Sequence, residues 1–388
     1  MSILNKSLQC IAPAIVRGMT FDGETGLCVT TLPRSSTCDL LLTKVEPQAD
    51  VEKVISFWRS QFETYIAKNQ AFPATVGIEG ESWVMALGAT LEEALACKGT
   101  RKSPKARGSS RRGELMHTKI ALVTGGAQGF GEGIVRGLVA EGVFVYIADM
   151  NSAGAKALAD ELNSQQGMLV AEAVAVNVTD EASVEEMMDH VASRTGSMDL
   201  FVSNAGVLKA GSVKEMSLKD FQFVTSVDYT GFFICTKFAA RQLAYQNLGS
   251  GNAYLTDIVA ISSKSGLEGS NKNGAYAGAK FGVIGLTQSF ALELVSDNIK
   301  VNAVCPGNFL DGPLWSDPDR GLFVQYLNAG KVPGAKTIHD VRRFYESKVP
   351  LNRGCRTEDV MRAICYIVEQ KYETGQAVPV TGGQVMLN

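Results

Sequence analysis

The chain contains few of the residues from which metal sites and disulfide frameworks are built. Its 388 residues include only three histidines, His117, His190 and His339, and no two of them have the spacing of metal ligands. Its eight cysteines lie far apart and form no Cys-x-x-Cys pair, and a chain of this length does not need disulfides for stability. We therefore expect no bound metal, and reduced thiols in a cytoplasmic protein.

Net charge and long apolar runs are also scarce. The 37 Lys and Arg residues nearly balance the 40 Asp and Glu residues, which gives a net charge of -3. This balance argues against bulk electrostatic binding of nucleic acid or a membrane surface. No apolar run approaches the roughly 18 residues that span a bilayer. The short run 11–16 is interrupted by Pro13 and makes a poor signal peptide.

Positive charge is concentrated in one short stretch. Residues 98–112 hold seven Lys or Arg and no acid, together with Gly, Ser and Pro. This composition is typical of a solvated linker, and the alternative is a tag that binds a polyanion. The sequence therefore predicts a small N-terminal module of unknown role at 1–97, a basic linker at 98–115 and a larger domain at 116–388. We expect the larger domain to fold without the module.

Short β-rich runs alternate with amphipathic helical stretches throughout the larger domain. This alternation predicts βαβ units with right-handed crossovers, and hence a Rossmann-like, doubly wound α/β fold with a parallel sheet. The predicted strands are 120–123, 144–148, 169–176, 200–202, 258–262, 300–304 and 377–380. The predicted helices are 130–141, 153–165, 181–195, 218–246, 275–297 and 357–370, with a long irregular stretch before the last one.

The front segment has a less regular pattern. Its apolar positions predict a helix over 51–69, a hairpin of strands 75–78 and 82–87, and a short helix over 91–96. We therefore expect a small α+β module. Residues 74–96 faintly resemble the C-terminal end of class II sugar aldolases. The zinc histidines of those enzymes have no counterpart here, so aldolase chemistry is not expected.

A glycine-rich loop follows the first strand of the larger domain. Gly125, Gly129 and Gly131 allow a tight turn, close approach of the backbone to a pyrophosphate and close packing of the next helix. The N-terminus of that helix adds free N–H groups and a positive dipole. Glycines also mark ordinary turns, but the strand before the loop and the helix after it favour a dinucleotide site. Gln128 and Phe130 are further cofactor-binding candidates in this loop.

The second strand ends at Asp149. An acid at this place accepts hydrogen bonds from the adenosine ribose hydroxyls and repels a 2′-phosphate. No Arg or Lys is adjacent to it in the sequence to compensate. The alternative is an acid that caps the next helix. The position favours NAD over NADP as the cofactor.

Three side chains form a candidate catalytic group. Tyr276 and Lys280 are four residues apart in a helical stretch and share one face. Ser263 follows a buried strand, whose carboxyl end should bring it to the same crevice. A phenol is a poor base at neutral pH, but a nearby ammonium favours the phenolate. The serine hydroxyl can hold the substrate oxygen.

These residues, with two further motifs, make residues 118–388 resemble the short-chain dehydrogenase/reductase family. The further motifs are Asn204-Ala205-Gly206 and Pro306-Gly307. The resemblance implies a seven-stranded sheet, a homotetramer and oxidation of a secondary alcohol. It also implies cofactor contacts from Asn204, Ala205, Gly206, Pro306, Gly307, Asn177, Val178, Tyr276 and Lys280.

The sequence departs from the family pattern at four places. Asp228 replaces the asparagine of the long helix, where it is expected to raise the pKa of Lys280 and still to take part in a proton relay. Asn177 replaces an acid near the adenine, and Asp311 replaces a threonine after Pro306-Gly307. About ten extra residues, around 246–254, lengthen the connection after the long helix.

Several segments resemble the sorbitol-6-phosphate 2-dehydrogenase group of that family, which implies a small polyol or sugar phosphate as substrate. They are Ser263-Lys264-Ser265-Gly266, Val349-Pro350-Leu351 with Arg353-Gly354-Cys355, and Thr381-Gly382-Gly383. Residues 312–353 carry seven Lys or Arg against four acids, a pattern that suits either phosphate binding or a solvated surface. Lys264, Arg342 and Arg343 are the candidate phosphate ligands.

Two other functions are compatible with the sequence. One is a dehydrogenase of an unphosphorylated polyol or sugar. The other is a catalytically silent family member that binds NAD and acts as a sensor or scaffold. The intact Ser263, Tyr276 and Lys280 argue against the silent alternative.

Overall fold

The N-terminal part of the chain is a mixed four-stranded sheet with three helices. It is described here from a computed structural model that covers residues 8–34, 37–44, 50–97, 116, 119–319, 321–328, 330 and 332–386. Its elements are α1 (Leu8–Met19), β1 (Cys28–Pro33), β2 (Leu40–Leu42), α2 (Val51–Asn69), β3 (Thr75–Ile78), β4 (Trp83–Gly88) and α3 (Leu91–Leu95). The sheet order is β1-β4-β3-β2, with β4 antiparallel to both neighbours and β2 parallel to β3.

The sequence predicted only part of this module. The helix over 51–69, the hairpin and the short third helix are confirmed. The sequence does not predict α1, β1 or β2. The apolar side chains of α1, among them Ile11, Ile15 and Val16, are buried in a core shared with residues of the larger domain. Their role becomes visible only with that surface in place.

The larger part contains a seven-stranded parallel sheet with helices on both faces, as predicted. Its strands are β5 (Ile120–Thr124), β6 (Phe144–Asp149), β7 (Ala171–Ala175), β8 (Leu200–Ser203), β9 (Thr256–Ile261), β10 (Ile299–Pro306) and β11 (Ala377–Val380). Its helices are α4 (Gly129–Ala140), α5 (Ser152–Gln166), α6 (Glu181–Thr195), α7 (Leu218–Thr225), α8 (Gly231–Gly249), α9 (Gly274–Leu294), α10 (Pro313–Ser316), α11 (Leu322–Asn328), α12 (Ile338–Ser347) and α13 (Thr357–Glu369).

The strand order places a crevice near the middle of the sheet. The order is β11-β10-β9-β8-β5-β6-β7. The first strand of this sheet, β5, is therefore interior, and later strands are added outward, first on one side of it and then on the other. Helices α6, α8 and α9 cover one face, and α4, α5 and α13 cover the other. Because the winding reverses between β5 and β8, the carboxyl ends of these strands border the crevice where ligands bind in such folds.

Local signals in the sequence explain where several helices begin. Asn151, Asp180 and Ser217 each precede a helix and accept a hydrogen bond from a backbone N–H of its first turn. The long helix predicted over 218–246 is instead α7 and α8 joined by a π-helical turn at 226–230. The stretch predicted to be irregular contains α10, α11 and α12, whose apolar side chains form a small core of their own.

The module packs against the amino-terminal side of the large sheet. Helix α1 crosses the end of α8 so closely that a Cβ on Gly18 would lie 1.9 Å from the Gln246 carbonyl oxygen. Reciprocally, a Cβ on Gly249 would lie 2.3 Å from the Ile15 carbonyl oxygen. The extra residues noted around 246–254 therefore form much of the surface on which the module sits.

The proposed linker, 98–115, lies outside the described residues, and the boundaries on either side of it stay a prediction. Met116 is buried against the core of the larger part. Among the helices that the structure describes, none combines the length and the apolar character needed to cross a membrane.

Candidate functional site

The glycine-rich loop connects β5 to α4 at the crevice. Gly125 and Gly129 have φ values of 63° and 62°, a conformation that favours glycine. A Cβ on Gly131 would lie 1.9 Å from the Gly125 carbonyl oxygen, so the loop folds back against the first turn of α4. Gln128 is the N-cap residue of α4 and makes no side-chain capping bond. The arrangement leaves the helix N-terminus open to a pyrophosphate and fits a dinucleotide.

Asn204, Ala205 and Gly206 follow β8 and lie beside this loop. The Asn204 side-chain amide donates to the carbonyl oxygens of Thr124 and Gly125, at 3.1 and 3.0 Å. In return, the Thr124 hydroxyl accepts from the backbone N–H groups of Asn204 and Ala205. The carboxyl ends of β5 and β8 are thus held together by four hydrogen bonds among four residues. Thr124 is not among the predicted site residues, although its place as the last residue of β5, directly before the glycine-rich loop, indicates a site role.

Asp149 ends β6 next to the loop. One carboxylate oxygen accepts from the Ala127 N–H at 3.0 Å, and the other accepts from the Asn151 N–H at 2.8 Å. The side chain is half-buried. The predicted alternative, an acid that caps the next helix, is wrong, because the N-cap residue of α5 is Asn151. Asp149 therefore places a carboxylate beside the glycine-rich loop, and the preference for NAD stays a prediction.

Other predicted cofactor residues surround the same crevice. Asn177 is exposed after β7, and its side-chain oxygen accepts from the Thr179 N–H. Val178 is buried against the start of α8. Pro306 ends β10, and the Gly307 N–H donates to the Val380 carbonyl. Their contact with a cofactor stays a prediction.

Two aromatic rings stack on each other beside the loop. Phe130, at the start of α4, stacks on Phe309 with the ring centroids 4.6 Å apart. Phe309 follows Pro306-Gly307 by two residues, and the sequence analysis missed it. No periodic signal marks a single phenylalanine in a loop, so only the tertiary structure reveals the pair.

The three candidate catalytic residues lie on neighbouring elements. Ser263 follows β9, and its hydroxyl accepts from the Ser265 N–H at 3.1 Å. The preceding residue, Ser262, lies against α9, because its hydroxyl donates to the Lys280 carbonyl at 3.0 Å. Tyr276 and Lys280 are both on α9, and the Lys280 Nζ lies 5.5 Å from the centre of the Tyr276 ring. The structure thus brings the predicted group to one place.

Asp228 contacts Lys280 from the π-helical turn. Helix α9 passes this turn so closely that a Cβ on Gly282 would lie 2.6 Å from the Tyr229 ring. The Asp228 Oδ1 accepts from the Val207 N–H at 2.7 Å. Its Oδ2 lies 3.4 Å from the Lys280 Nζ, as an ion pair without hydrogen-bond geometry. Lys280 also donates to the Ile261 carbonyl at 3.0 Å.

The buried pair shifts the acidity of both partners. Burial opposes the charge on Lys280, but the Asp228 carboxylate and Tyr276 outweigh it, so the pKa of Lys280 is raised. Burial also raises the pKa of Asp228, and the nearby ammonium only partly offsets this. Lys280 is therefore held as an ammonium beside the phenol, as proton transfer requires.

The three predicted phosphate ligands each have a carboxylate partner. The Lys264 Nζ lies 3.6 Å from the Glu268 carboxylate. Arg342 binds Asp311 at 2.6 Å and Glu346 at 2.8 Å. Arg343 lies 2.7 Å from the Asp340 carboxylate. The threonine-to-aspartate departure at position 311 is thus matched by an arginine on α12.

A cavity of about 360 Å³ opens beside Gly307, between the end of β11 and α13. Its lining includes Arg353, Arg362 and Thr381. Among the described residues that line it, none belongs to the catalytic group. It adjoins the predicted cofactor segment rather than the reaction centre. Over the same described part of the chain, no cluster of three His, Cys, Asp or Glu side chains is arranged to hold a metal ion.

A family model and curated relatives match this chain. A family model described as short chain dehydrogenase matches residues 119–316. The Sorbitol-6-phosphate 2-dehydrogenase of Escherichia coli strain K12 is 37% identical over 270 residues, which are 69% of this chain and 99% of that protein. A 3-oxoacyl-(acyl-carrier-protein) reductase FabG of Thermotoga maritima is 30% identical over 270 residues, 69% of this chain and 98% of that protein.

A solved structure is also similar to this chain. The crystal structure of Sorbitol-6-Phosphate 2-dehydrogenase SrlD from Erwinia amylovora has a TM-score of 0.63 and 38% sequence identity. The match covers 69% of this chain and 100% of that chain. Because each match covers 69% of this chain, 31% of it lies outside the part matched to these relatives.

Proposed function

The chain belongs to the short-chain dehydrogenase/reductase family, and from this premise we propose that it interconverts sorbitol 6-phosphate and fructose 6-phosphate with NAD. The observation that carries the chemistry is the position of the Lys280 ammonium, 3.4 Å from Asp228 and 5.5 Å from the Tyr276 ring centre. The substrate is proposed from the 37% identity with the Escherichia coli enzyme. The reductase among the relatives indicates how far substrates vary within the family.

In the proposed oxidation, Tyr276 accepts the proton of the C2 hydroxyl while Ser263 holds that oxygen. Lys280 stabilises the phenolate that accepts the proton. A bound NAD would supply the acceptor for the hydride that leaves C2, so this carbon loses two electrons and becomes a ketone. Asp228 keeps Lys280 charged and in place.

The proposed preference for NAD rests on Asp149. Its carboxylate lies at the glycine-rich loop, within hydrogen-bond distance of the Ala127 N–H. A 2′-phosphate brought to this place would meet like charge.

One observation favours a second candidate, a dehydrogenase of an unphosphorylated polyol. Lys264, Arg342 and Arg343 already face carboxylates. A phosphate would have to compete with these acids for the cations. The two candidates share the same reaction centre and differ only in what binds the far end of the substrate.

We also propose that the protein acts on its small-molecule substrate as a homotetramer, as the family resemblance implies. Large apolar side chains are exposed on α7, α8, α9 and the turn between α7 and α8, where a second copy would cover them. They are Phe221, Phe223, Tyr229, Phe233 and Phe281. Neither nucleic acid nor a membrane is proposed as a partner.

We expect Tyr276→Phe to lower kcat by at least about a hundredfold, because general acid–base catalysis contributes about 10²–10⁴. NAD affinity should change little, since only one hydroxyl is lost. Lys280→Ala should damage both turnover and NAD binding. Steady-state kinetics and calorimetry would test this, with the fully exposed Tyr372→Phe as the control. Turnover close to the parent value in Tyr276→Phe would show that another group is the base.

We expect Asp228→Asn to move the pH profile of kcat/KM to lower pH. The carboxylate raises the pKa of Lys280, so without it Lys280 loses its proton at a lower pH and the alkaline limb begins earlier. Asparagine still accepts from the Val207 N–H, which preserves the local fold. Asp160→Asn, which removes an exposed acid on α5, is the charge-matched control. An unchanged alkaline limb would rule out this role for Asp228.

We expect the parent protein to have a higher kcat/KM with NAD than with NADP. Asp149→Asn should reduce that preference by about tenfold or more, since each 1.4 kcal/mol of repulsion corresponds to about tenfold. Asparagine keeps an oxygen for the Ala127 N–H, so the loop should stay intact. The measurement is the ratio of kcat/KM for the two cofactors. A parent protein that prefers NADP would contradict the proposal.

We expect alanine at Lys264, Arg342 or Arg343 to raise KM for sorbitol 6-phosphate and to leave KM for free sorbitol nearly unchanged. Loss of one charge-assisted contact costs about 1.5–3 kcal/mol, or about ten- to a hundredfold. Lys156→Ala, on the exposed side of α5, is the control. If none of the three variants changes the discrimination, the phosphate binds elsewhere. A parent enzyme that prefers free sorbitol would favour the second candidate.

A further inference from the structure

A single buried arginine connects the N-terminal module to the larger part. Arg17, on α1, is fully buried. Its Nη1 donates to the carbonyls of Gly26 and Leu27, at 2.8 and 2.7 Å, and its Nε donates to the Gln246 side chain at 3.0 Å. Its Nη2 donates to the Asp199 carboxylate at 2.8 Å. A buried guanidinium needs such acceptors, and Gln246 and Asp199 of the larger part supply two of them while the two parts are packed together.

Asp199 in turn holds the amino ends of β5 and β8. It immediately precedes β8, and the carboxylate oxygen that binds Arg17 also accepts from the Ile120 N–H at 2.6 Å, where β5 begins. The Asp199 N–H donates back to the Ile120 carbonyl at 2.7 Å. Lys119, one residue earlier, donates to the Glu24 carbonyl of the module at 3.2 Å.

Tyr254 completes this connection from the extra segment after α8. Its hydroxyl hydrogen-bonds the second Asp199 oxygen and accepts from the Gly26 N–H at 2.8 Å. Its ring stacks on Phe21, with centroids 4.3 Å apart. The segment that lengthens the family pattern therefore provides a partner for both Asp199 and the module.

The same two strands carry the nucleotide loops at their other ends. β5 leads into Gly125, and β8 leads into Asn204, and the two are bonded there through Thr124 and Asn204. Each strand is four or five residues long and paired along its length. Because these strands are short and hydrogen-bonded to each other, one end of a strand has little freedom to rearrange without the other end.

We infer that the module and the nucleotide site form one cooperative unit, joined through Arg17 and Asp199, with Arg17 acting as a positioning residue for β5 and β8. Nucleotide binding then stabilises the module, and by linkage the docked module strengthens nucleotide binding by the same factor. This differs from the sequence-based expectation that residues 116–388 fold without the module. The inference depends on the nucleotide site and not on the identity of the substrate.

The positions of the tryptophans make a direct test possible. Of the three tryptophans in the chain, Trp58 and Trp83 are in the module and Trp315 is in the larger part. In a Trp315→Phe background, tryptophan fluorescence reports on the module alone. Urea unfolding would be followed by this signal and by far-UV circular dichroism, without ligand, with NAD⁺ and with NADP⁺.

We expect the fluorescence midpoint to rise with nucleotide as much as the circular-dichroism midpoint does. At a hundredfold excess over Kd, the folding equilibrium constant should rise about a hundredfold by both probes. A fluorescence transition that neither nucleotide moves would overturn the inference. A shift with NADP⁺ but not NAD⁺ would support the inference while contradicting the proposed cofactor.

Variants locate the coupling. Arg17→Met should separate the two transitions and raise KM for the nucleotide several-fold with kcat nearly unchanged. Arg59→Met is the matched control, because Arg59 also joins the module to the larger part, but within the described part of the chain it binds the carbonyls of Leu248 and Gly249 rather than Asp199. If nucleotide still shifts the fluorescence and circular-dichroism transitions together in Arg17→Met, the coupling does not pass through Arg17. If Arg17→Met does not fold, the Trp315→Phe protein still tests whether the module and the nucleotide site are coupled, through the shift that nucleotide causes in its fluorescence midpoint.

Discussion

All seven strands of the large sheet run in one direction, and this polarity decides where the other parts of the molecule lie. Parallel strands place all their carboxyl ends at one edge and all their amino ends at the opposite edge. The glycine-rich loop, Ser263 and Gly307 follow carboxyl ends, so they meet in one crevice. Asp199 and Lys119 precede amino ends, so they meet the module on the far side.

The departures from the family pattern make sense when they are considered with their partners. Asp228 is paired with Lys280, Asp311 is paired with Arg342, and the extra residues near Tyr254 are packed against the module. In each case the charge or the added segment has a partner, although at Asp228 the ammonium offsets only part of the cost of burial.

The module differs from a domain tethered by a flexible segment. Its first helix makes glycine-to-backbone contacts with α8, and the fully buried Arg17 on that helix is partly satisfied by the larger part. Interfaces between independent domains are usually more polar and more readily separated. The buried ion pair between Arg17 and Asp199 is part of this interface.

The sequence by itself determined the class of fold, the family and the candidate reaction centre. It could do so because the alternation of strands and helices is local, and because the glycine loop and Tyr276-x-x-x-Lys280 are contiguous motifs. It could not identify α1, the Phe130–Phe309 stack or the role of Asp199, since each depends on a partner far away in the chain. Only the tertiary structure decided that Arg17 pairs with the carboxylate of Asp199, 182 residues away in the chain. The physical reason is that burial and pairing are properties of the packed molecule and not of a single segment.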